Sequence, residues 1–260
     1  MAETKENTTP KADQPIDPKT IMNILNGALG ARMKLWLKSC YHCGLCADSC
    51  FFYLAHGKDP KYMPSYKVIK TLGEMFKKKG KVNRAFLEEA ADIVWGNCTL
   101  CRRCSMYCPF GIDMGTMLAT VRSVCATYDL SPEALLIATK NYEEFDNQMA
   151  VTEEEWIDTC KWMEDETAEE LLGLKIPMDK KGAKMMYTIN VREAKFYPQD
   201  IAQAAMIFHV AGEDWTMSTK GWDDTNLAMF AGKGKIAAQH VKSTYDAAQR
   251  LEVKQIVITE

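Results

Sequence analysis

No stretch of this sequence is long and apolar enough to cross a bilayer. The best candidate, the interrupted run IAQAAMIFHVAG at Ile201–Gly212, falls well short of the roughly 20 residues that a spanning helix needs. The first twenty residues, MAETKENTTPKADQPIDPKT, are polar throughout. They lack the apolar stretch and small-residue cleavage site of an export signal, so residues 1–20 are expected to form a disordered tail and the chain to be cytoplasmic. Nucleotide signatures are missing too. There is no G-x-G-x-x-G and no P-loop, and GKGK at Gly232–Lys235 offers only a helix start that could greet a phosphate. A net charge of -3, with basic residues that lack an interleaved aromatic platform, argues against nucleic acid as a partner. Histidine is scarce: His56, His209 and His240 have no sequence neighbours that suggest metal binding or catalysis. Residues 181–260 contain no cysteine.

Cysteine elsewhere is abundant and ordered. Eight of the ten fall into two matching quartets, Cys40, Cys43, Cys46, Cys50 and Cys98, Cys101, Cys104, Cys108, the second followed at once by Pro109. Each reads C-x2-C-x2-C-x3-C, the bacterial-type spacing for [4Fe-4S] clusters, in which the distant fourth cysteine serves the other cluster. The expected ligand sets are therefore Cys40, Cys43, Cys46 and Cys108 for one [4Fe-4S] cluster, and Cys98, Cys101, Cys104 and Cys50 for a second. Zinc is the competing soft-thiolate metal, but a zinc site uses paired C-x2-C units and needs neither a third evenly spaced cysteine nor a C-P ending. A disulfide framework belongs to short secreted chains, not to one of 260 residues. Cys125, in an apolar helical run, and Cys160, in an acidic one, lie outside this spacing and read as plain free thiols.

The pattern around the quartets is helical. Ile21–Lys38 has apolar residues at helical spacing, and between the quartets Ser65–Lys79 and Asn83–Trp95 read as helices capped by Ser65 and Asn83. Another helix follows the turn after Cys108. Lys67, Lys70, Lys77, Lys78, Lys79, Lys81 and Arg84 make this region basic, whereas Glu143–Glu170 is acidic. Both read foremost as solvated helix faces, with partner steering as the alternative. Ala183–Val191 and Val253–Thr259 read as strands, the latter buried, and Pro198–Val210 and Lys235–Leu251 as helices, an order that argues for a parallel sheet. The expected fold class is thus an α-helical two-cluster ferredoxin domain followed by a partial α/β (parallel sheet) domain. Its expected divisions are a tail at 1–20, a cluster domain at 21–130, an acidic helical connector at 131–180 and the α/β part at 181–260. Trp215, Trp222, Tyr197 and Phe230 could line a cleft near the strand ends, but aromatic residues around glycine turns read foremost as core.

The segments CYHCGLCADSC, CTLCRRCSMYCPFGID, KGAKMMYTINVREAKFYPQDIA, AGEDWTMSTKGWDDTNLAMFAG and RLEVKQIVITE together resemble heterodisulfide reductase-like iron-sulfur proteins. The likeness covers most of residues 20–260 and is nearest to the cytoplasmic iron-sulfur subunits of the membrane redox complexes of sulfate reducers. Glycolate and lactate oxidase iron-sulfur subunits share the plan and remain an alternative, as does a stand-alone electron-transfer module. A succinate dehydrogenase-type subunit is disfavoured because no cysteine precedes Cys40 to hold a further [2Fe-2S] cluster.

The resemblance implies electron transfer toward disulfide or trisulfide reduction. Implied partners are an integral, cytochrome b-like membrane subunit, other iron-sulfur or cytochrome subunits, and a small sulfur-carrier protein or disulfide substrate. The implied place is the inner face of the cytoplasmic membrane, reached through partner subunits. In such proteins a Cys-Gly-His segment and Cys-Cys-Gly motifs follow a stretch like VITE and build a further catalytic iron-sulfur cluster. None is found here, so the sequence is expected to be truncated before them and no catalytic residue is assigned. Phe51, where proline often follows the fourth cysteine, departs from the pattern without removing a ligand. His42, Asn97, Thr99 and Tyr107 are candidates for contacts around the clusters, and the Ile21–Lys38 helix for docking to a membrane partner.

Overall fold

The computed structural model describes residues 15–27, 29–168 and 170–259. The chain divides into two compact units: residues 1–132 with 230–232, and residues 133–229 with 233–260.

Every regular element among the first unit's described residues is a helix. Helix α1 (Pro18–Leu25) starts where Asp17 accepts the backbone N–H groups of Lys19 and Thr20, each at 3.0 Å, with Pro18 in the first turn. The polar segment expected to reach Thr20 therefore gives way to helix at Pro18, while residues 1–14 lie outside the described residues. The single helix expected over Ile21–Lys38 is two helices, because the chain turns between α1 and α2 (Gly30–Ser39). Gly27 returns its N–H to the Ile24 carbonyl at 3.2 Å, and a Cβ at Gly30 would lie 2.6 Å from the Leu25 oxygen, so the corner is built on glycine.

Two short helices, α3 (Leu45–Asp48) and α4 (Phe51–Ala55), follow the first cysteines. A continuous helical run then combines α5 (Pro64–Val68), a wide π turn at Ile69–Gly73 and α6 (Glu74–Lys77). Its start is Pro64 behind the N-cap Met63, not Ser65 as expected, since proline fits the first turn and the Ser65 hydroxyl is buried for another purpose. Asn83 does cap α7 (Arg84–Ala91), accepting the Phe86 N–H at 3.0 Å. A second π turn at Asp92–Gly96 leads into Cys98, and α8 (Arg103–Met106) carries Cys104. Helix α9 (Met114–Thr127) is the central element: Met117, Leu118, Val121 and Cys125 are buried among Ile21, Leu25, Leu72 and Leu87.

The second unit is helices around a small sheet. Helices α10 (Glu133–Phe145) and α11 (Glu153–Ala168) come first, then β1 (Met185–Tyr187), α12 (Val191–Phe196), α13 (Gln199–Ala211), β2 (Trp215–Thr216), α14 (Leu227–Phe230), α15 (Gly234–Arg250) and β3 (Gln255–Val257). The sheet is parallel with order β2-β1-β3, Met185 pairing with both Trp215 and Gln255. The nine-residue strand expected at Ala183–Val191 shortens to three, because Asn190 caps α12 by accepting the Arg192 N–H at 2.9 Å. Strand β2 escaped the sequence reading; two residues are too few to show alternation. The expected buried strand at Val253–Thr259 is instead an exposed edge, with Gln255 and Ile256 both exposed.

The segment expected to be a connector belongs to this unit's core. Trp156, Cys160 and Met163 of α11 pack with Met185, Tyr187 and Trp222, and the acidic side chains Glu153, Glu154 and Glu155 face outward in its first turn, where they complement the helix dipole. Trp156 is fully buried, stacks on Trp222 with centroids 4.1 Å apart and donates its indole N–H to the Ser218 carbonyl at 2.9 Å. Replacing Trp156 with alanine is expected to destabilise the unit by about 4 kcal/mol in denaturant unfolding, the usual cost of emptying a buried tryptophan site. Trp156→Phe should cost roughly half of that, losing mainly the hydrogen bond and part of the stack.

Candidate iron-sulfur centre

Each cysteine quartet sits on the same local scaffold. The first and second cysteines flank a residue forced into the left-handed region, His42 at φ 56° and Leu100 at φ 56°. A second left-handed residue follows the middle cysteine, Gly44 at φ 86° and Arg102 at φ 59°. The third cysteine then lies on a four-residue helix, Cys46 on α3 and Cys104 on α8. Non-glycine residues held at positive φ cost on the order of 1–3 kcal/mol each and persist where the surroundings demand them. Such turns aim backbone N–H groups inward: the Leu100 N–H points at the Cys98 sulfur at 3.4 Å.

The thiols gather into two cavities, and the grouping crosses between the quartets. One cavity is lined by Cys40, Cys43, Cys46 and Cys108. The other is lined by Cys50, Cys98, Cys101 and Cys104. Among the described residues no group of three or more His, Cys, Asp or Glu side chains is arranged to hold a metal ion. Four soft donors lining one cavity suit a thiolate-bound metal centre, and the evenly spaced third cysteine of each quartet fits an iron-sulfur cluster.

The surroundings of the two cavities differ in charge. In the first, Ser65 offers both its backbone N–H and its hydroxyl to Cys46, and burial pushes that thiol up against these donors. Burial likewise raises the Cys98 thiol and pushes Cys104 up to about 12, so loading either must displace protons. The second cavity is lined by Lys67, which is 2% exposed, donates its ammonium to the Asn97 carbonyl, lies 4.0 Å from the Cys50 sulfur and sits over the Phe52 ring at 5.0 Å. Behind it Arg122 is also buried. Its guanidinium donates to the carbonyls of Val94 at 2.7 and 2.9 Å, Cys98 at 2.5 Å and Phe230 at 3.0 Å, and burial pulls its pKa down to about 10, leaving it charged at neutral pH. Gly232 permits this arrangement, since a Cβ there would lie 2.5 Å from the Arg122 carbonyl.

Both cations were missed in the sequence, where Lys67 counted as one of a solvated basic group. The signals exist. Lys67 shares a helical stripe with the buried Thr71 and Met75, four and eight residues on, and Arg122 is the lone charge on α9.

Other sequence candidates are dispersed. Of the residues proposed as cluster contacts, His42 lines the first cavity and is exposed, Asn97 and Thr99 line the second, and Tyr107, 58% exposed, lines neither. Cys125 and Cys160 are buried in the cores of the first and second unit and are free thiols. Of the four aromatics weighed for a cleft, Trp215 and Trp222 are core residues, in line with the favoured reading, whereas Tyr197 is exposed and Phe230 serves the first unit through its carbonyl. In the second unit, the buried Asp223 accepts N–H groups of Thr225, Gln148 and Val191. Burial nevertheless pushes its carboxyl up to about 6.

The 4Fe-4S dicluster domain family matches residues 36–112, the span that contains both quartets and Lys67. An "Hdr-like menaquinol oxidoreductase iron-sulfur subunit 2" of Archaeoglobus fulgidus is 31% identical over 118 residues, covering 40% of this chain and 21% of the relative. A subunit of Archaeoglobus profundus named "Hdr-like menaquinol oxidoreductase iron-sulfur subunit" is 32% identical over the same shares. The chain is similar to Hdr-like iron-sulfur proteins. It spans about a fifth of the length of these curated relatives. The span matched by the 4Fe-4S dicluster domain family agrees with the cysteine spacing. No helix among the described residues is long and apolar enough to cross a membrane.

Proposed function

We propose that the chain relays single electrons through two [4Fe-4S] clusters as part of an Hdr-like membrane redox complex. One cluster is assigned to Cys40, Cys43, Cys46 and Cys108, the other to Cys50, Cys98, Cys101 and Cys104. The observation that carries the reading is the crossed grouping of eight thiols into two cavities of four. When bound, such clusters supply one-electron storage at potentials tuned by burial, charge and hydrogen bonds to sulfur.

The chain's own residues do the rest. The thiols bind, the left-handed residues His42, Gly44, Leu100 and Arg102 shape the two cysteine loops, the Leu100 N–H donates to the Cys98 sulfur, and Ser65 adds neutral donors on one side while Lys67 adds a charge on the other. Cys43 and Cys101 are exposed, giving each site a face toward a partner. The names of the relatives point to menaquinol as the donor side of the complex. We assign the membrane contact to an integral, cytochrome b-like partner and place the chain peripherally on the cytoplasmic face. Delivery is to a sulfur substrate, a disulfide or trisulfide, and its turnover is assigned outside residues 181–260, which contain no cysteine.

Anaerobic reductive titration of the loaded protein tests the relay. Uptake of about two electrons per chain, with bleaching of visible absorption, is expected for two cubanes. A chain that takes up no electrons down to the potential of dithionite contradicts the proposal.

A further inference from the structure

The two thiol cavities are alike in donors and unlike in charge. No lysine, arginine, aspartate or glutamate lines the Cys40/Cys43/Cys46/Cys108 cavity. The Cys50/Cys98/Cys101/Cys104 cavity is lined by Lys67, Arg102 and Arg103. Arg102 is paired with Asp113, and Arg103 is exposed, so both are compensated or screened. Lys67 is neither. It is 2% exposed, its ammonium lies 4.0 Å from the Cys50 sulfur, and among the described residues no carboxylate forms an ion pair with it. Its other contacts are a carbonyl and a ring face, which hold the charge in place without cancelling it.

Adding an electron to a thiolate-bound cubane makes an already negative site more negative. A fixed cation beside one site therefore favours the reduced state there over the reduced state at a site served by neutral donors. Burial strengthens the effect, because little solvent intervenes.

Building on the two-cluster reading above, we infer that Lys67 is a potential-setting residue that makes the Cys50/Cys98/Cys101/Cys104 site the higher-potential of the two. The first electron taken from an external one-electron donor then resides at that site, and the second at the Cys40/Cys43/Cys46/Cys108 site. Electrons delivered at the first-quartet side run downhill to the Lys67 side, which gives the relay a direction.

The test is a potentiometric titration of the loaded protein followed by EPR, after iron and sulfide have been measured to establish that both clusters are present. Two one-electron steps are expected. In Lys67→Met the step at higher potential should fall so that, at a fixed poise, the ratio of reduced to oxidised cluster drops at least tenfold, which is about 59 mV for one electron. The lower step should stay in place, and Lys67→Arg, which keeps the charge, should keep both. Lys67→Gln, which retains a donor for the Asn97 carbonyl, serves as a second neutral variant. In the unaltered protein, one-electron-reduced samples labelled with ¹⁵N-lysine should show a weak nitrogen coupling in pulsed EPR, a readout that needs no variant. Full iron content with neither step moved, with the lower step moved, or with no lysine coupling overturns the inference while leaving the two-cluster relay intact. Loss of iron in the unaltered protein would overturn the relay itself.

Discussion

Replacing Cys46 and Cys108 together with alanine is expected to leave about four iron and four sulfide per chain, one intact cubane. Replacing Cys46 and Cys50 together is expected to leave almost none. The two outcomes follow from which cavity each thiol lines: Cys46 and Cys108 share one, whereas Cys46 and Cys50, only four residues apart, belong to different ones. If each quartet instead held its own cluster, the results would reverse. Alanine is preferred to serine, whose oxygen can stand in as a ligand. Anaerobic reconstitution followed by iron and acid-labile sulfide analysis reads the difference directly, and it is a difference between half occupancy and none. The crossover also has a mechanical consequence. Each cluster would tie residues near Cys46 to residues near Cys104, so the helices between the quartets close a loop at both ends.

The second large effect is expected at Arg122. Its guanidinium satisfies carbonyls of Val94, Cys98 and Phe230, and the wide turn at Asp92–Gly96 is where the Val94 carbonyl comes free to accept it. Arg122→Met would fill much of the space but leave three carbonyls without this donor, at about 1–3 kcal/mol for each that stays buried and unpaired. A loss of roughly 4 kcal/mol in the first unit is expected, together with faster loss of iron to a chelator, because the Cys98 backbone loses its anchor. Arg122→Lys should recover less than half of the stability. A lysine keeps the charge but cannot reach three carbonyls with one rigid fork. Denaturant unfolding of the loaded protein measures the first quantity, and timed chelation the second.

How far these features could be read in advance depends on their range in sequence. The quartets were legible because their chemistry is written as spacing, and Asn83 because a cap needs only the next three residues. The corner between α1 and α2 differs from the single helix expected: Ile21, Leu25, Met33 and Trp36 keep helical spacing across it, and the close approach of Gly30 to the Leu25 carbonyl, though local, leaves no mark on that spacing. The acidic segment looked like a connector since its charges are conspicuous and its buried stripe, Trp156, Cys160 and Met163, is narrow. Lys67 was hidden for a related reason. Lysine is almost always solvated, and only the cavity around Cys50 shows why this one is not. Strand β2, two residues long, exists through its pairing with Met185 and Met186, which lie about thirty residues away.

The left-handed residues teach the same point at closer range. Gly44 announces its conformation, and Arg102, at the matching place in the second quartet, does not. Only the repeated cysteine frame suggests that the two should share a backbone.

Eight thiols in two crossed sets are proposed to hold two cubanes. Iron, acid-labile sulfide and zinc counted per chain after anaerobic purification and reconstitution test it most directly. About eight iron and eight sulfide, with no zinc, are expected; four or fewer iron after careful reconstitution, or zinc in place of iron, would contradict it.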